Sequence, residues 1–175
     1  HLNADEITFD EKTGEVIAKG NVLIISYGRR LKADSISYNR NTEIITANGN
    51  VQLFNSDGNN IFGHRMKITG DLKEAIIKGI GIILTNQSRI AASSARRFNS
   101  NVTEMNNGVY SPCKLCEPDP TMPPLWQVKA VKIIHDRNRK TIQYRDAWLE
   151  VMGYPVAYTP YLSHPDPSVK RQSGF

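Results

Sequence analysis

The sequence predicts an all-β protein whose strands form two facing, mostly antiparallel sheets. Three observations carry this prediction: a repeat of about 29 residues, apolar residues that alternate with polar ones, and a glycine at one fixed place in each repeat. Alternation with a period of two is typical of strands with one wet face. No stretch carries the three- and four-residue spacing of a long amphipathic helix, so we expect ten or more strands and little helix.

The repeat is clearest between two segments that lie 29 residues apart. Residues 4–9 read Ala-Asp-Glu-Ile-Thr-Phe and residues 33–38 read Ala-Asp-Ser-Ile-Ser-Tyr, while Gly-Asn-Val occurs at both 20–22 and 49–51. Glycines at 79 and 108 continue the period in a third and a fainter fourth copy. Because glycine inside a strand marks a bulge or a bend, we expect bends near Gly20, Gly49 and Gly79 that carry each strand from one sheet into the other.

The strands follow one another in the order of these units. Turn residues separate them at 10–14, 39–42, 55–58, 70–71 and 99–101. After a loop at 111–124 that holds prolines and both cysteines, residues 126–135 and 141–151 read as two further strands around a turn at 136–139. We therefore expect a β domain over 1–152, with four clear repeats to about 111 and a fifth, degenerate unit over 125–152.

The last part of the chain, 153–175, is predicted to be an extended connector without regular structure. Pro155, Pro160, Pro165 and Pro167 recur in it, and proline disfavours a sheet interior. Because the chain begins without Met and stops in the middle of this segment, we interpret it as part of a longer protein.

The alternation predicts which apolar side chains point into the space between the two sheets. In most proteins apolar side chains that point inward only form the hydrophobic core and bind no ligand. The predicted inward-facing residues are Ile7, Phe9, Val22, Ile24, Ile36, Tyr38, Val51, Leu53, Met66, Ile68 and Phe98.

Catalytic and metal-binding patterns are weak in this sequence. The four histidines lie far apart, no nucleophile, phosphate-binding or dinucleotide-binding motif is present, and the carboxylates are scattered among turns. We therefore expect no enzyme, no metal site and no cofactor. With 39% hydrophobic and 22% charged residues the chain is neither disordered nor fibrous, and its net charge of +5 suits an anionic partner.

Cys113 and Cys116 stand three residues apart in the proline-rich loop. A zinc site would need further ligands, and a thioredoxin-like site would need a different context of strands and helices. A disulfide remains, either between these two cysteines or to cysteines elsewhere in a longer protein.

The repeated unit resembles the OstA repeat of the lipopolysaccharide transport proteins. It reads Ala-Asp-x-Ile-x-Tyr/Phe followed by Ala-x-Gly-Asn-Val, at 4–22 and 33–51. The segments 153–165 and 170–175, with Pro-Tyr-Leu-Ser-His-Pro and Lys-Arg-Gln-Ser-Gly-Phe, resemble the part of some family members that leads into an outer-membrane β-barrel.

The resemblance implies a β-jellyroll on the periplasmic side of the outer membrane that receives lipopolysaccharide from the LptA bridge and passes it to the barrel. LptA would dock on the edge strand around Ile7–Phe9, LptE would be a partner of the whole protein, and no nucleic acid is implied. The inward residues would line an acyl-chain slot, and Cys113 would pair with the distal barrel. Cationic candidates for phosphate contacts are Arg29, Arg30, Lys32, Arg96 and Arg97, with Lys129 and Lys132 as further ones.

Two other functions stay open at this point. One is a stand-alone bridge protein of the LptA kind, against which the segment after Gly153 argues. The other is a β-sandwich enzyme or sugar-binding module of the cupin type, which would need a His and Glu metal set on facing strands.

Overall fold

The computed structural model describes residues 1–26, 28–56, 58–69, 74–99, 101–112, 121–167 and 169. All regular structure in this part of the chain is β, and no helix in it is long and apolar enough to cross a membrane. The strands are β1 Leu2–Asn3, β2 Glu6–Asp10, β3 Glu15–Ser26, β4 Arg29–Asn39, β5 Ile44–Phe54, β6 Asn60–Thr69, β7 Ala75–Ile83, β8 Arg89–Phe98, β9 Val102–Ser111, β10 Trp126–Asp136, β11 Thr141–Val151 and β12 Tyr154–Pro165.

The strands form one antiparallel sheet in chain order. From β3 to β12 each strand pairs with the next, while β1 and β2 both pair with β3, β1 with its second half and β2 with its first. By register, Tyr110 on β9 lies level with Val128 on β10 and Leu149 on β11, five residues along the strand from Tyr144, yet the rings of Tyr110 and Tyr144 lie 6.2 Å apart between centroids. The two predicted facing sheets are therefore the two halves of one folded sheet, and the all-β jellyroll is confirmed.

The fold line between the halves runs through bulges at two of the three predicted glycines, Gly20 and Gly49. Gly79 has a left-handed φ of +61°, but the register of β7 with its neighbours does not shift there. The pairing register shifts between Lys19 and Val22 on β3 and between Asn48 and Val51 on β5. Gly49 has φ +73° and Asn50 has φ +45°, both in the left-handed region that a glycine enters at little cost. Two successive left-handed residues turn the strand, which explains why Gly-Asn recurs in the sequence.

Gly108 serves a different purpose from the other repeated glycines. Its φ is not positive; the left-handed residue is its neighbour Asn107, with φ +49°. A Cβ atom on Gly108 would collide with the side chain of Ile133 on β10. In the fourth repeat the glycine therefore makes room for a core side chain.

The core lies along the inside of the fold, where apolar residues of successive strands form rows. Ala18, Ile36, Ala47 and Met66 pair in turn from β3 to β6 and are all buried. Directly opposed residues of an antiparallel pair share a face, so each row marks one continuous apolar band.

The predicted hairpin turns at 10–14, 39–42 and 136–139 are stabilised by the same pattern of hydrogen bonds. The side-chain oxygen of the last strand residue accepts hydrogen bonds from the backbone two and three residues on: Asp10 from Lys12 and Thr13, and Asn39 from Asn41 and Thr42. Asp136 does the same with Asn138 and Arg139. The N–H groups of Lys12 and Thr13 lower the pKa of the Asp10 carboxyl, because they stabilise its charged form.

The expectation of no regular structure after Gly153 is wrong for residues 154–165. These residues form β12, which pairs along its length with β11. Proline is tolerated here because the other side of β12 is unpaired in the described sheet, so a missing N–H breaks no ladder.

Candidate functional site

The space between the two halves of the sheet contains a cavity of about 440 Å³. Its walls are almost entirely aliphatic and come from strands β3 to β8. The apolar lining residues are Ile24, Leu31, Ile45, Leu53, Ile61, Met66, Ile68, Ala75, Ile77, Ile80, Ile82, Leu84 and Ala95. Such a cavity excludes water from an aliphatic ligand and offers it no hydrogen bonds along the walls.

Polar residues line the cavity only where strands end. Ser26, Arg29 and Asn59 lie at strand ends of one half of the sheet. Thr103, Arg97, His135 and Arg137 lie at strand ends of the other half and also line the cavity. The two rims of the folded sheet therefore carry cationic groups, while the interior between them is apolar.

Four of the predicted slot residues line this cavity: Ile24, Leu53, Met66 and Ile68. Val22, Ile36 and Val51 point inward as predicted, but they are buried along the fold line, where the two halves meet. These three residues support the walls and do not line the cavity.

Ile7, Phe9 and Tyr38 also share the inner face, yet they are exposed by 54%, 51% and 37%. Phe9 pairs with Val16, which pairs with Tyr38, and that row continues through Ile45 to Ile68 in the cavity. The apolar surface of the cavity thus extends to the first strands, where it is open to solvent.

The prediction that Phe98 points inward is wrong. Arg97 lines the cavity, and adjacent residues of a strand point to opposite faces, so Phe98 lies outside. The guanidinium of Arg96 lies 4.7 Å from the centroid of the Phe98 ring, on the same outer face. With a repeat of 29 residues, the residue equivalent to Ile68 is Arg97, and Phe98 is one residue later. Because a shift of one residue along a strand exchanges the two faces, Phe98 was assigned to the wrong face.

The cationic candidates divide between the two faces. Arg29 and Arg97 line the cavity. Arg30 lies on the outer face, where its guanidinium lies 5.4 Å from the centroid of Phe54. Lys32 alternates with the buried Leu31 and lines a small outer cleft. Arg30, Lys32 and Arg96 are therefore placed away from the cavity, contrary to the prediction that they contact its ligand.

Lys129 and Lys132 form ion pairs instead of reaching the cavity. Lys129 Nζ lies 3.0 Å from Glu150, and Lys132 Nζ lies 3.4 Å from Glu104.

Five residues of the cavity rim were not predicted as site residues, namely Ser26, Asn59, Thr103, His135 and Arg137. Arg137 was assigned only to a turn, and His135 to a strand without a role. His135 Nε2 hydrogen-bonds to Oδ2 of Asp166, and both side chains are buried. The signal that could have found His135 is its pattern: it continues the inward alternation of Val128, Ala130 and Ile133, where a polar residue is unexpected.

Cys113 and Cys116 lie outside the described residues, so their disulfide stays a prediction. Within the described part of the chain, no three His, Cys, Asp or Glu side chains are grouped as metal ligands.

Comparison with known proteins gives the following matches. The family described as OstA-like protein matches residues 1–113. The lipopolysaccharide-assembly protein LptD of Vibrio cholerae is 29% identical over 159 residues, which cover 89% of this chain and 19% of that protein. LptD of Xanthomonas oryzae is 27% identical over 175 residues, covering 99% of this chain and 17% of its own length, and LptD of Acinetobacter baumannii is 26% identical over 156 residues.

The chain thus spans less than a fifth of the length of these relatives. Among solved structures, LptH of Pseudomonas aeruginosa, described as the LptA homologous periplasmic component of the lipopolysaccharide transport device, matches with a TM-score of 0.49 and 14% identity. That match covers 57% of this chain and 75% of the other.

Proposed function

The chain belongs to the OstA-like family, and on that premise we propose that it is the periplasmic lipopolysaccharide-binding domain of an LptD-type outer-membrane translocon. It binds the acyl chains of lipopolysaccharide between the two halves of its sheet. It receives the lipid from LptA and passes it to the LptD barrel. The domain acts by binding and performs no catalysis. The observation that carries the proposal is the aliphatic cavity between the halves.

A carrier of acyl chains must offset the large free-energy cost of exposing them to water. An acyl chain of about a dozen carbons costs roughly 10 kcal/mol to expose to water, at about 0.8 kcal/mol per methylene. A protein that moves it through an aqueous compartment must replace water by apolar side chains along the whole chain. The rows that join the cavity to Phe9 and Tyr38 meet this requirement beyond the cavity itself.

The cationic rims suit a lipid with a phosphorylated head group. Arg29 on one half, and Arg97 and Arg137 on the other, line the same cavity whose walls are aliphatic. With the acyl chains between the walls, phosphates would lie at the rims, where guanidinium groups can form charge-assisted hydrogen bonds with them. Of the seven cations predicted from the sequence, Arg29 and Arg97 remain in this role, and Arg137 joins them.

LptA would dock at the N-terminal edge of the sheet. Within the sheet that the structure describes, β2 pairs only with β3, so its other side is a row of backbone donors and acceptors available to a further strand. A strand added there would continue the apolar inner face from Ile7 and Phe9 into the partner.

At the other end, β12 would be the last strand of the jellyroll, and the part of the predicted connector 153–175 that follows it would lead from the sheet toward the barrel. In this proposal the lipid-binding domain would lie on the periplasmic side of the outer membrane, and LptE would be a partner of the whole protein. A stand-alone bridge of the LptA kind remains the alternative, and it would bind the same lipid in the same cavity.

A binding measurement with intact and chemically deacylated lipopolysaccharide tests the proposal. The full-length protein should bind intact lipopolysaccharide and lose affinity for the deacylated form. Ile68→Glu, which places a charge in the cavity, should weaken binding of the intact lipid, whereas Lys67→Glu on the opposite face of the same strand should weaken it much less. Equal binding of both lipids, or equal loss in both variants, would contradict the proposal.

A further inference from the structure

An aromatic cluster joins the two halves of the sheet beyond the cavity. Tyr110 on β9 belongs to one half, and its ring lies 5.1 Å from that of His164 on β12 and 6.2 Å from that of Tyr144 on β11, centroid to centroid. Tyr144 and His164 belong to the opposite half and lie 5.5 Å apart. The three rings therefore span the slot from one wall to the other.

The cluster is held by directional hydrogen bonds. Nδ1 of His164 lies 2.7 Å from the carbonyl oxygen of Pro165, which can only accept, so this nitrogen carries the proton. In the neutral ring Nε2 is then an acceptor, and the Tyr144 hydroxyl donates to it over 2.8 Å. Burial, and next the neighbouring Tyr110, raise the pKa of the Tyr144 hydroxyl, which keeps it protonated as a donor.

The cluster closes the slot at its C-terminal end. Tyr144 is fully buried and Tyr110 is 5% exposed, and their rings pack edge to face across the slot. The cavity is lined by residues from β3 to β10 and ends at Thr103, His135 and Arg137, short of the three rings. On the half that carries Tyr110, the inner face continues beyond β9, since Tyr110 pairs with Val128, Val128 with Leu149, and Leu149 with Ala157 on β12.

A second contact fixes the strand that carries His164. Two residues further on, the Asp166 carboxylate hydrogen-bonds to the buried His135 of β10, and the Asp166 N–H donates to the carbonyl of Lys140 over 2.9 Å. These two hydrogen bonds of Asp166 lie beside the cavity rim and hold the strand that carries His164 in place.

We infer that Tyr110, Tyr144 and His164 form a gate that stops lipid bound in the slot from moving toward the C-terminal end until Tyr110 separates from His164. The inference rests on the proposed function, since it assigns a stopping point to the lipid path. Tyr110 and His164 sit on opposite halves, so a small spreading of the folded sheet parts them while β11 and β12 stay paired. With this gate, passage of the lipid toward the C-terminal end is a separate step from binding of the lipid in the slot.

Chemical linkage of the two sides provides the test. In the full-length protein, with its partner and in proteoliposomes, Tyr110→Cys and His164→Cys are joined by a short bis-methanethiosulfonate reagent, which a reductant removes. A photo-cross-linker at Ile68 reports lipid that has reached the cavity. We expect the linked protein to lose onward delivery of lipopolysaccharide while capture at Ile68 persists, and the reductant to restore delivery. The same treatment of protein with only its native cysteines is the control.

Undiminished delivery by the linked protein would overturn the gate. Absence of capture at Ile68 in every state would instead overturn the proposed function, so the two failures are distinct. Because the reductant regenerates the same molecule, a variant that cannot fold is recognised by its failure to recover.

A second test opens the gate by a substitution, whereas the first test locks it by a cross-link. Tyr110→Ala removes the ring that crosses the slot, whereas Tyr110→Phe keeps it. Capture by a photo-cross-linker at Ala157, relative to that at Ile68, should rise in Tyr110→Ala and stay unchanged in Tyr110→Phe. An unchanged ratio in Tyr110→Ala would show that the rings are an ordinary part of the core, and would refute the gate.

Discussion

The carboxylate of Asp34 lies over Gly49, in the space that a Cβ atom would occupy, and it accepts a hydrogen bond of 3.0 Å from the side-chain amide of Asn50. One repeat earlier, Asp5 covers Gly20 and accepts from Asn21 over 3.1 Å. The bends at Gly20 and Gly49 are therefore each fixed by three residues: a glycine and an asparagine that turn one strand, and an aspartate, on β4 or just before β2, that holds them.

This arrangement predicts that Gly49→Ala is more damaging than its left-handed φ alone would make it. Gly28 has a similar φ, +75°, but only Ser56 Cβ at 3.8 Å near its missing side chain, so Gly28→Ala measures the backbone strain by itself. We expect Gly28→Ala to lower the free energy of unfolding by about 1–2 kcal/mol. Gly49→Ala should lower it by about 1–3 kcal/mol more, because Asp34 must move. Equal losses in chemical denaturation would refute the close-packing argument.

A charged substitution is expected to affect stability differently on the closed side and on the open side of the inner face. Val51 is buried along the fold line, whereas Ile7 shares the inner face but is 54% exposed. Val51→Asp buries an unpaired carboxylate and should lower the free energy of unfolding by about 4 kcal/mol or more. Ile7→Asp keeps its charge in water and should change the melting temperature little. A thermal melt in which both variants behave alike would contradict this assignment.

The open edge of β2 predicts a site-specific effect of proline at Thr8. The Asp5 N–H donates to the carbonyl of Gly20, so alternation along the strand directs the N–H of Thr8 away from β3. Thr8→Pro should therefore weaken LptA binding without breaking the β2–β3 ladder, while Thr8→Ala should bind normally. Binding of LptA by Thr8→Pro at wild-type affinity would remove this edge as the docking site.

The resemblance to the lipopolysaccharide transport proteins predicts a long-range bond from Cys113 in the full-length protein. An oxidising compartment favours disulfides, and by the loop-entropy account a bond from Cys113 to the distal barrel would contribute roughly 5 kcal/mol. Cys113→Ser should then change the mobility of the oxidised protein in non-reducing electrophoresis. Unchanged mobility would leave a local Cys113–Cys116 bridge, or no bond at Cys113.

The fold could be predicted from the sequence because its signals are local. Alternation marks most strands, and the Gly-Asn repeat marks the bulges on β3 and β5, whatever the distant contacts are. The aspartates that hold the bends were missed, although Asp5 and Asp34 each precede the glycine they cover by the same number of residues. β12 was missed because proline argues against a strand interior, whereas an edge strand tolerates it.

The candidate site was predicted only in part, for reasons of register and long-range packing. Ile24, Leu53, Met66 and Ile68 followed from alternation, but the face of Phe98 depends on a single residue of register. Contacts across the slot leave no local pattern. Tyr110 and His164 are far apart in the chain, and only the folding of the sheet brings them together.

Photo-cross-linking along β6 in living cells tests the central claim most directly. Met66 and Ile68 line the cavity, and Lys67 between them lies on the opposite face. With the cross-linker at each position of the full-length protein in turn, we predict capture of lipopolysaccharide at 66 and 68 and little at 67. Equal capture at all three positions, or capture at 67 alone, would contradict a lipid path between the two halves of the sheet.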